Sequence, residues 1–213
     1  MVSRPQQIRA RLVALPSPTL AQADDATLAR AASSGDPRAT SVLWDRFSPL
    51  VRRMLRRTLG PTAEVEALLQ EVFLRALRQL GGLPESAQLK PFVVAVTVRV
   101  LSGELKRNRM RRLFRMQSPW HAADPATSND PTTRTALSAL YRILDELDAE
   151  ARLAFTLRHF EGLQITELAS AMDASLSSAK RRLARANARV QAAVSRDAAF
   201  SAYATAASLG DAP

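Results

Sequence analysis

The sequence predicts an all-α protein of two small helical domains joined by a flexible linker. Three observations carry this. Apolar residues recur at spacings of three and four through most of the chain, the period of a helix rather than of a strand. Gly, Pro, Asp and Ser stand where those stretches begin and end, as caps and breakers do. A segment rich in Pro, Ser, Thr, Asn and Asp, residues 116–133, divides the pattern in two. Of 213 residues, 46% are apolar, enough to build a core at this length.

Residues 1–23 read as a mobile arm, basic at first (Arg4, Arg9, Arg11) and then Pro/Ser-rich. The first domain spans 24–115. Asp24 or Asp25 caps a helix carrying Leu28, Ala29 and Ala32, which Gly35-Asp36-Pro37 stops. Asp36 caps the second helix and Pro37 sits in its first turn, where its missing N–H costs nothing. Ala39, Val42, Leu43, Phe47, Leu50, Val51, Met54, Leu55 and Leu59 form its apolar stripe, and Gly60-Pro61 ends it. A third helix runs from about 63 to 80, with Val65, Leu68, Leu69, Val72, Phe73, Ala76, Leu77 and Leu80 inward. A fourth starts near Pro91 and ends in a basic run. Val94, Val96, Val98 and Val100 alternate as a strand would, but helical neighbours and the lack of a partner strand favour helix.

The second domain, 134–196, reads as four short helices. The first covers about 134–146 (Leu137, Leu140, Tyr141, Leu144). Asp148 caps the next, which carries Leu153, Leu157 and Phe160 and stops at Glu161-Gly162. A two-turn helix (165–172) and a longer one from Leu176 past Val190 follow. The Ala/Ser-rich residues 197–213 read as a frayed tail.

Composition narrows the function. Without cysteine there is no disulfide framework, thiolate metal site or thiol nucleophile, and His121 and His159 alone cannot build a zinc site. No Gly-rich phosphate loop occurs, and Glu64 and Glu66, two apart on a helix, diverge rather than converge. Neither catalysis nor a cofactor, metal or small-molecule substrate is expected. The formal net charge of +10 favours a polyanion, nucleic acid or an acidic membrane surface. No uncharged apolar stretch is long enough to span a membrane, and the first residues lack a signal peptide's apolar core, so a cytoplasmic protein is expected.

The most informative segment is Gln164–Val190, whose short helix, tight turn and longer helix form a helix-turn-helix. Leu168, Ala169 and Met172 point inward, and Asp173 stands where the turn needs positive φ. Ala179, Leu183, Ala186 and Val190 make the buried stripe of the second helix. That leaves Ser177, Ser178, Lys180, Arg181, Arg182, Arg185 and Arg189 outward, to hold phosphate or reach base edges, with Arg181 best placed for guanine. A second candidate surface is Phe92, Arg99 and the basic run Lys106, Arg107, Arg109, Arg111 and Arg112, where a base can stack while cations follow the backbone. Spacing alone fits Phe92 equally to the core.

These residues carry a resemblance. From Leu144 to Ala186, with Leu-Arg-His-Phe-Glu-Gly-Leu at 157–163, Glu167-Leu168-Ala169 and then Lys180, Arg182, Leu183, Arg185 and Ala186, the sequence resembles region 4 of extracytoplasmic function (ECF) sigma factors of the sigma-70 type. Leu68-Leu69-Gln70-Glu71-Val72-Phe73-Leu74-Arg75-Ala76 is similar to their region 2.2. The resemblance implies a dissociable RNA polymerase subunit. Leu69, Gln70, Glu71, Phe73 and Arg75 would then meet the β′ coiled coil, and the second domain the β flap. Phe92–Arg112 would engage the minus-ten strand, and the recognition helix the minus-thirty-five duplex. An anti-sigma factor is a further implied partner. The alternative is a helix-turn-helix regulator, or a degenerate sigma-like protein that binds polymerase or DNA without melting it. The sequence departs from the family where promoters are opened: Phe92-Val93 replaces Trp-Leu, Val98-Arg99 replaces Arg-Asn, and Gly103 replaces an aspartate.

Overall fold

The computed structural model describes Leu20 and residues 22–60, 63–84, 87–114 and 130–203. The arm before Leu20, the linker residues 115–129 with Trp120, and the tail 204–213 lie outside the described residues, as does the side chain of Arg112. Among the described residues eight α-helices make the scaffold, a short helical stretch follows at 198–203, and no strand occurs. The eight are α1 (Asp25–Ser33), α2 (Pro37–Leu59), α3 (Val65–Gln79), α4 (Leu89–Phe114), α5 (Pro131–Glu146), α6 (Ala149–His159), α7 (Ile165–Ala171) and α8 (Leu176–Val194). A 3₁₀ turn, Leu80–Gly82, extends α3.

Caps set these boundaries. The Asp24 carboxylate accepts the Thr27 N–H, which with the Thr27 hydroxyl holds its pKa below the ordinary range. Asp36, Asp148 and Ser175 cap α2, α6 and α8 in the same way. Asp130 caps α5 and makes Pro131 its first residue, so that helix starts earlier than the expected 134. At the other end, 198–203 are helical and Phe200 packs on α5 and α8, so the expected frayed tail is ordered at least to 203.

The alternating valines of α4 have a tertiary explanation. Val93, Val94, Val96, Val98 and Val100 are all buried, because α4 touches α1, α2 and α3 on one side and α6 and α7 on the other. A helix covered almost all round needs no polar face, and its apolar pattern loses the helix period. Thr97 is buried in the same segment and donates its hydroxyl to the Val93 carbonyl.

The two halves do not keep separate cores. The largest apolar cluster runs from Leu28 through Leu105 and continues into Ala149, Leu153, Leu157, Leu168 and Ala179 of the second half. A smaller cluster of Tyr141, Ile143, Leu144, Ala186 and Val190 lies between α5 and α8.

Polar bonds join the halves at the end of α2. The Arg152 guanidinium, buried on α6, donates to the carbonyls of Thr58 (2.8 Å) and Leu59 (3.2 Å) and pairs with Asp145. The Tyr141 hydroxyl donates to the Arg57 carbonyl at 3.2 Å. Burial raises the pKa of that hydroxyl, against the pull of Arg152 and Arg57. Three of the last carbonyls of α2, which a helix cannot satisfy itself, are therefore capped from the other half. The reverse also holds: Arg57 donates to the Phe160 carbonyl at the end of α6 at 2.6 Å.

Candidate nucleic-acid and polymerase interfaces

α7, its turn and α8 form the expected helix-turn-helix. The Glu167 carboxylate accepts the Gln164 N–H at 2.7 Å and fixes the start of α7. Asp173 adopts φ 47°, alone among the described non-glycine residues in having positive φ. That bend lets Ala174 donate to the Ala169 carbonyl at 3.0 Å and turns the chain into α8. Ala169 and Ala179 are buried where α7 and α8 meet, and their small side chains let the helices approach. The exposed stripe of α8 is Ser177, Lys180, Arg181, Ala184, Arg185, Ala188 and Arg189, one face at helical spacing.

Four of the expected contact residues are bonded within the chain, Ser177 among them through a 3.1 Å hydroxyl–hydroxyl bond to Ser175 that leaves it exposed. Ser178 is half-buried, and both its N–H and its hydroxyl bond to Ser175, the α8 cap. Arg182 pairs with Glu150 at 2.9 Å, and Arg185 with Asp148 at 2.7 Å. α8 packs across the start of α6, so the acidic first turn of α6 meets these arginines. Sequence placed the two charge groups on separate elements and could not show that they face each other. Ser177, Lys180 and Arg181 are left as the exposed polar group of the first turns of α8, and neither cation is in an ion pair within the described residues.

On α4, the half-buried Phe92 packs against the core from the first turn, so the core reading of this residue is partly right. Arg99, two turns on, is exposed and donates to Gln79 at 3.2 Å. Lys106 continues the same exposed face. The basic run is less free than its composition suggests, because Glu104 pairs with Arg107 at 2.7 Å and with Arg111 at 2.6 Å. Arg109 is exposed at the rim of a small crevice of about 50 Å³ between the halves, lined also by Leu59, Leu105, Asp145 and Arg152.

Asp25 positions this helix, a role the sequence did not reveal. Its carboxylate accepts the Leu89 N–H at 2.8 Å and pairs with Arg46 at 3.3 Å. The first amide of α4 is thus capped by a residue of α1, far away in the chain. Asp25→Ala is expected to cost about 1–2 kcal/mol of stability, as loss of a cap does. Chemical unfolding measures it, and an unchanged midpoint would show that the bond is dispensable.

The third surface is the outer face of α3. Leu69 and Phe73, expected at the polymerase contact, are instead core residues, Phe73 tilted against Trp44 at 4.5 Å between ring centres. They lie on the apolar stripe, and that stripe is spent on α2 and α4. The face left outside holds Gln70, Leu74 and Arg78, flanked by the Glu71–Arg75 pair. Leu74 is 55% exposed and was missed. Its signal was present: it falls outside the stripe and at the spacing of Gln70 and Arg78. Glu66, meanwhile, is held by Arg52 in a two-point ion pair, which keeps its pKa below the usual range.

No described helix is long and apolar enough to cross a membrane. The comparisons with known proteins agree with this geometry. The family model for Sigma-70 region 2 matches residues 43–117, and that for Sigma-70, region 4 matches residues 137–190. The RNA polymerase sigma factor NccH of Alcaligenes xylosoxydans xylosoxydans is 26% identical over 182 residues, 79% of this chain and 93% of that protein. The ECF RNA polymerase sigma factor BldN of Streptomyces coelicolor is 27% identical over 148 residues, 68% of this chain and 56% of its own length. Among solved structures, the sigma factor RpoE in complex with the anti-sigma factor NepR, from Bartonella quintana, shares the fold. It has a TM-score of 0.55 and 19% identity, covering 72% of this chain and 95% of that one. Region 2 and region 4 thus occur in chain order, cover more than half of the sequence and fall on the two helical units, and the chain belongs to the sigma-70 family of RNA polymerase sigma factors, in its ECF branch.

Proposed function

We propose that this sigma factor, which directs transcription initiation, reads the minus-thirty-five duplex with Ser177, Lys180 and Arg181 of α8. It meets the minus-ten strand along Phe92, Arg99 and Lys106 of α4, and docks on core polymerase through Gln70, Glu71, Leu74 and Arg75 of α3. The carrying observation is the α8 surface: hydroxyl, ammonium and guanidinium stand together at the start of a recognition helix whose Ala179, Ala186 and Val190 are buried on the opposite face. No catalytic group is part of the reading. An anti-sigma factor is proposed as a partner on the likeness to the RpoE–NepR complex. Arg182 and Arg185 act by fixing α8 on α6 rather than as free phosphate contacts.

The direct experiment is run-off transcription with core polymerase on a library of promoter templates, with the chain alone on the same duplexes as control. Core-dependent initiation from a defined subset supports the reading. Sequence-specific binding by the chain alone, with no transcript from any template, would overturn it. The docking face has its own check. Reversing Glu71 and Arg75 together keeps their pairing, and Leu74→Glu removes only exposed apolar surface. Both variants are expected to keep their circular dichroism spectrum and to lose at least ten-fold in affinity for core. Undiminished co-purification with core would reject α3 as the dock.

A further inference from the structure

The first turn of α8 turns a large apolar side chain outward. Leu176, the first residue of the helix, is 42% exposed, one of four large apolar side chains so open to water among the described residues. It packs into neither apolar cluster. Nor is it half of the apolar contact that often pins a helix start, which falls here to Ala174, just before the cap Ser175, and Ala179. A lone exposed leucine elsewhere on a surface needs no explanation. The neighbours of this one give it a role.

Leu176 stands one turn before Lys180, along the same edge of α8, and beside Ser177 in the first turn. A recognition helix presents its N-terminal residues to base edges in the major groove. Those edges are hydrogen-bond donors and acceptors, and the one apolar group that tells a base pair apart is the C5-methyl of thymine. A leucine neither donates nor accepts. Against a polar edge it strands a group that water had satisfied, whereas against a methyl it buries apolar surface on both sides.

The rest of the face leaves this task open. Residues 176–182 run Leu-Ser-Ser-Ala-Lys-Arg-Arg and contain neither Asn nor Gln, the side chains that grip adenine by two bonds. Lys180 and Arg181 suit guanine or phosphate, and a serine hydroxyl suits any base. Asn187, further along, is half-buried and bonded to His159 at 2.9 Å. Among the side chains of these first turns, Leu176 alone favours an A·T pair over a G·C pair.

We infer that Leu176 is a specificity-determining residue that seats on the C5-methyl of a thymine in the minus-thirty-five duplex. The inference rests on the assignment of α8 as the minus-thirty-five reader. Its register follows from helix geometry. Arg181 lies five residues on, about 7.5 Å along the helix axis. Base pairs rise about 3.4 Å each, so the thymine lies about two base pairs from the pair that Arg181 reads.

Replacing thymine by deoxyuridine tests this, because it deletes the methyl and keeps every hydrogen-bonding group. Holoenzyme made from core polymerase and the full chain is bound to a promoter found with the run-off library, each thymine of the minus-thirty-five element being replaced in turn. One replacement, about two base pairs from the position that Arg181→Ala relaxes, is expected to lower wild-type affinity about three- to five-fold, the worth of one buried methyl. Leu176→Ala is expected to lose a similar factor on the thymine promoter and to be indifferent to that replacement. Its circular dichroism spectrum is expected to be unchanged, since the side chain lies outside both clusters. A Leu176→Ala holoenzyme as sensitive to the replacement as wild type, no replacement that lowers wild-type affinity, or a set of selected promoters with no preferred A·T pair at that distance each overturns the assignment. If Arg181→Ala still relaxes one base pair when these fail, α8 remains the reader and only Leu176 is misplaced. If no promoter is bound in a core-dependent way, the functional reading fails and this assignment falls with it.

Discussion

Replacing Arg152 by alanine is expected to destabilise the chain by about 3–5 kcal/mol, the range for breaking a buried ion pair from one side. Three acceptors lose their donor together. The carbonyls of Thr58 and Leu59 are left at a buried helix end, and the Asp145 carboxylate, 11% exposed, loses its guanidinium. Midpoint temperature is expected to fall on the order of 10 °C, given about 2–4 °C per kcal/mol for a chain of this size. Arg152→Met tests the same bonds with the space filled, and Arg152→Met combined with Asp145→Asn is expected to recover part of the loss. Removing both charges relieves the unpaired carboxylate, whereas removing one strands it. A cost below about 1 kcal/mol for Arg152→Ala in urea unfolding would mean that the halves are not bonded in solution, since an exposed arginine pair is worth about that little.

Arg181→Ala is expected to cost about 1–3 kcal/mol of promoter binding and to relax preference at one base pair, as loss of a two-point contact to a base edge does. Lys180→Ala is expected to act differently. A phosphate contact lowers affinity for every sequence and reduces the salt slope by about one unit. Both side chains are exposed on the free face of α8, so neither change disturbs the core. Arg182→Ala is the useful contrast. Its guanidinium holds Glu150 and is only 22% exposed, so its loss is expected to appear in the stability of the α6–α8 contact before it appears in base preference. Binding of variant holoenzymes to single-position promoter libraries at several salt concentrations measures all three. Equal, sequence-blind losses for Lys180→Ala and Arg181→Ala would mean that α8 rests on the backbone only.

Much of this protein was legible in its sequence, because the information was local. Asp24, Asp36, Asp148 and Pro37 mark helix starts through bonds to the next few residues. Apolar periodicity fixed which faces turn inward, and Asp173 marked the turn where a non-glycine residue takes positive φ. The helix-turn-helix and its Ser177–Arg181 surface followed from those facts. Tertiary structure decided what depends on residues far apart in the chain. It turned the alternating valines of α4 into a helix buried on two sides, spent Leu69 and Phe73 on the core, and left Leu74 outside. It tied Arg182 and Arg185 to the acidic turn of α6, and Asp25 to the first amide of α4. Above all it placed Arg152, of a residue type almost never buried unless paired, at the end of a helix nearly a hundred residues earlier. Caps and periodicity are set within a turn or two of chain, whereas the partner of a buried arginine is chosen by whichever unsatisfied carbonyls the packing brings to it.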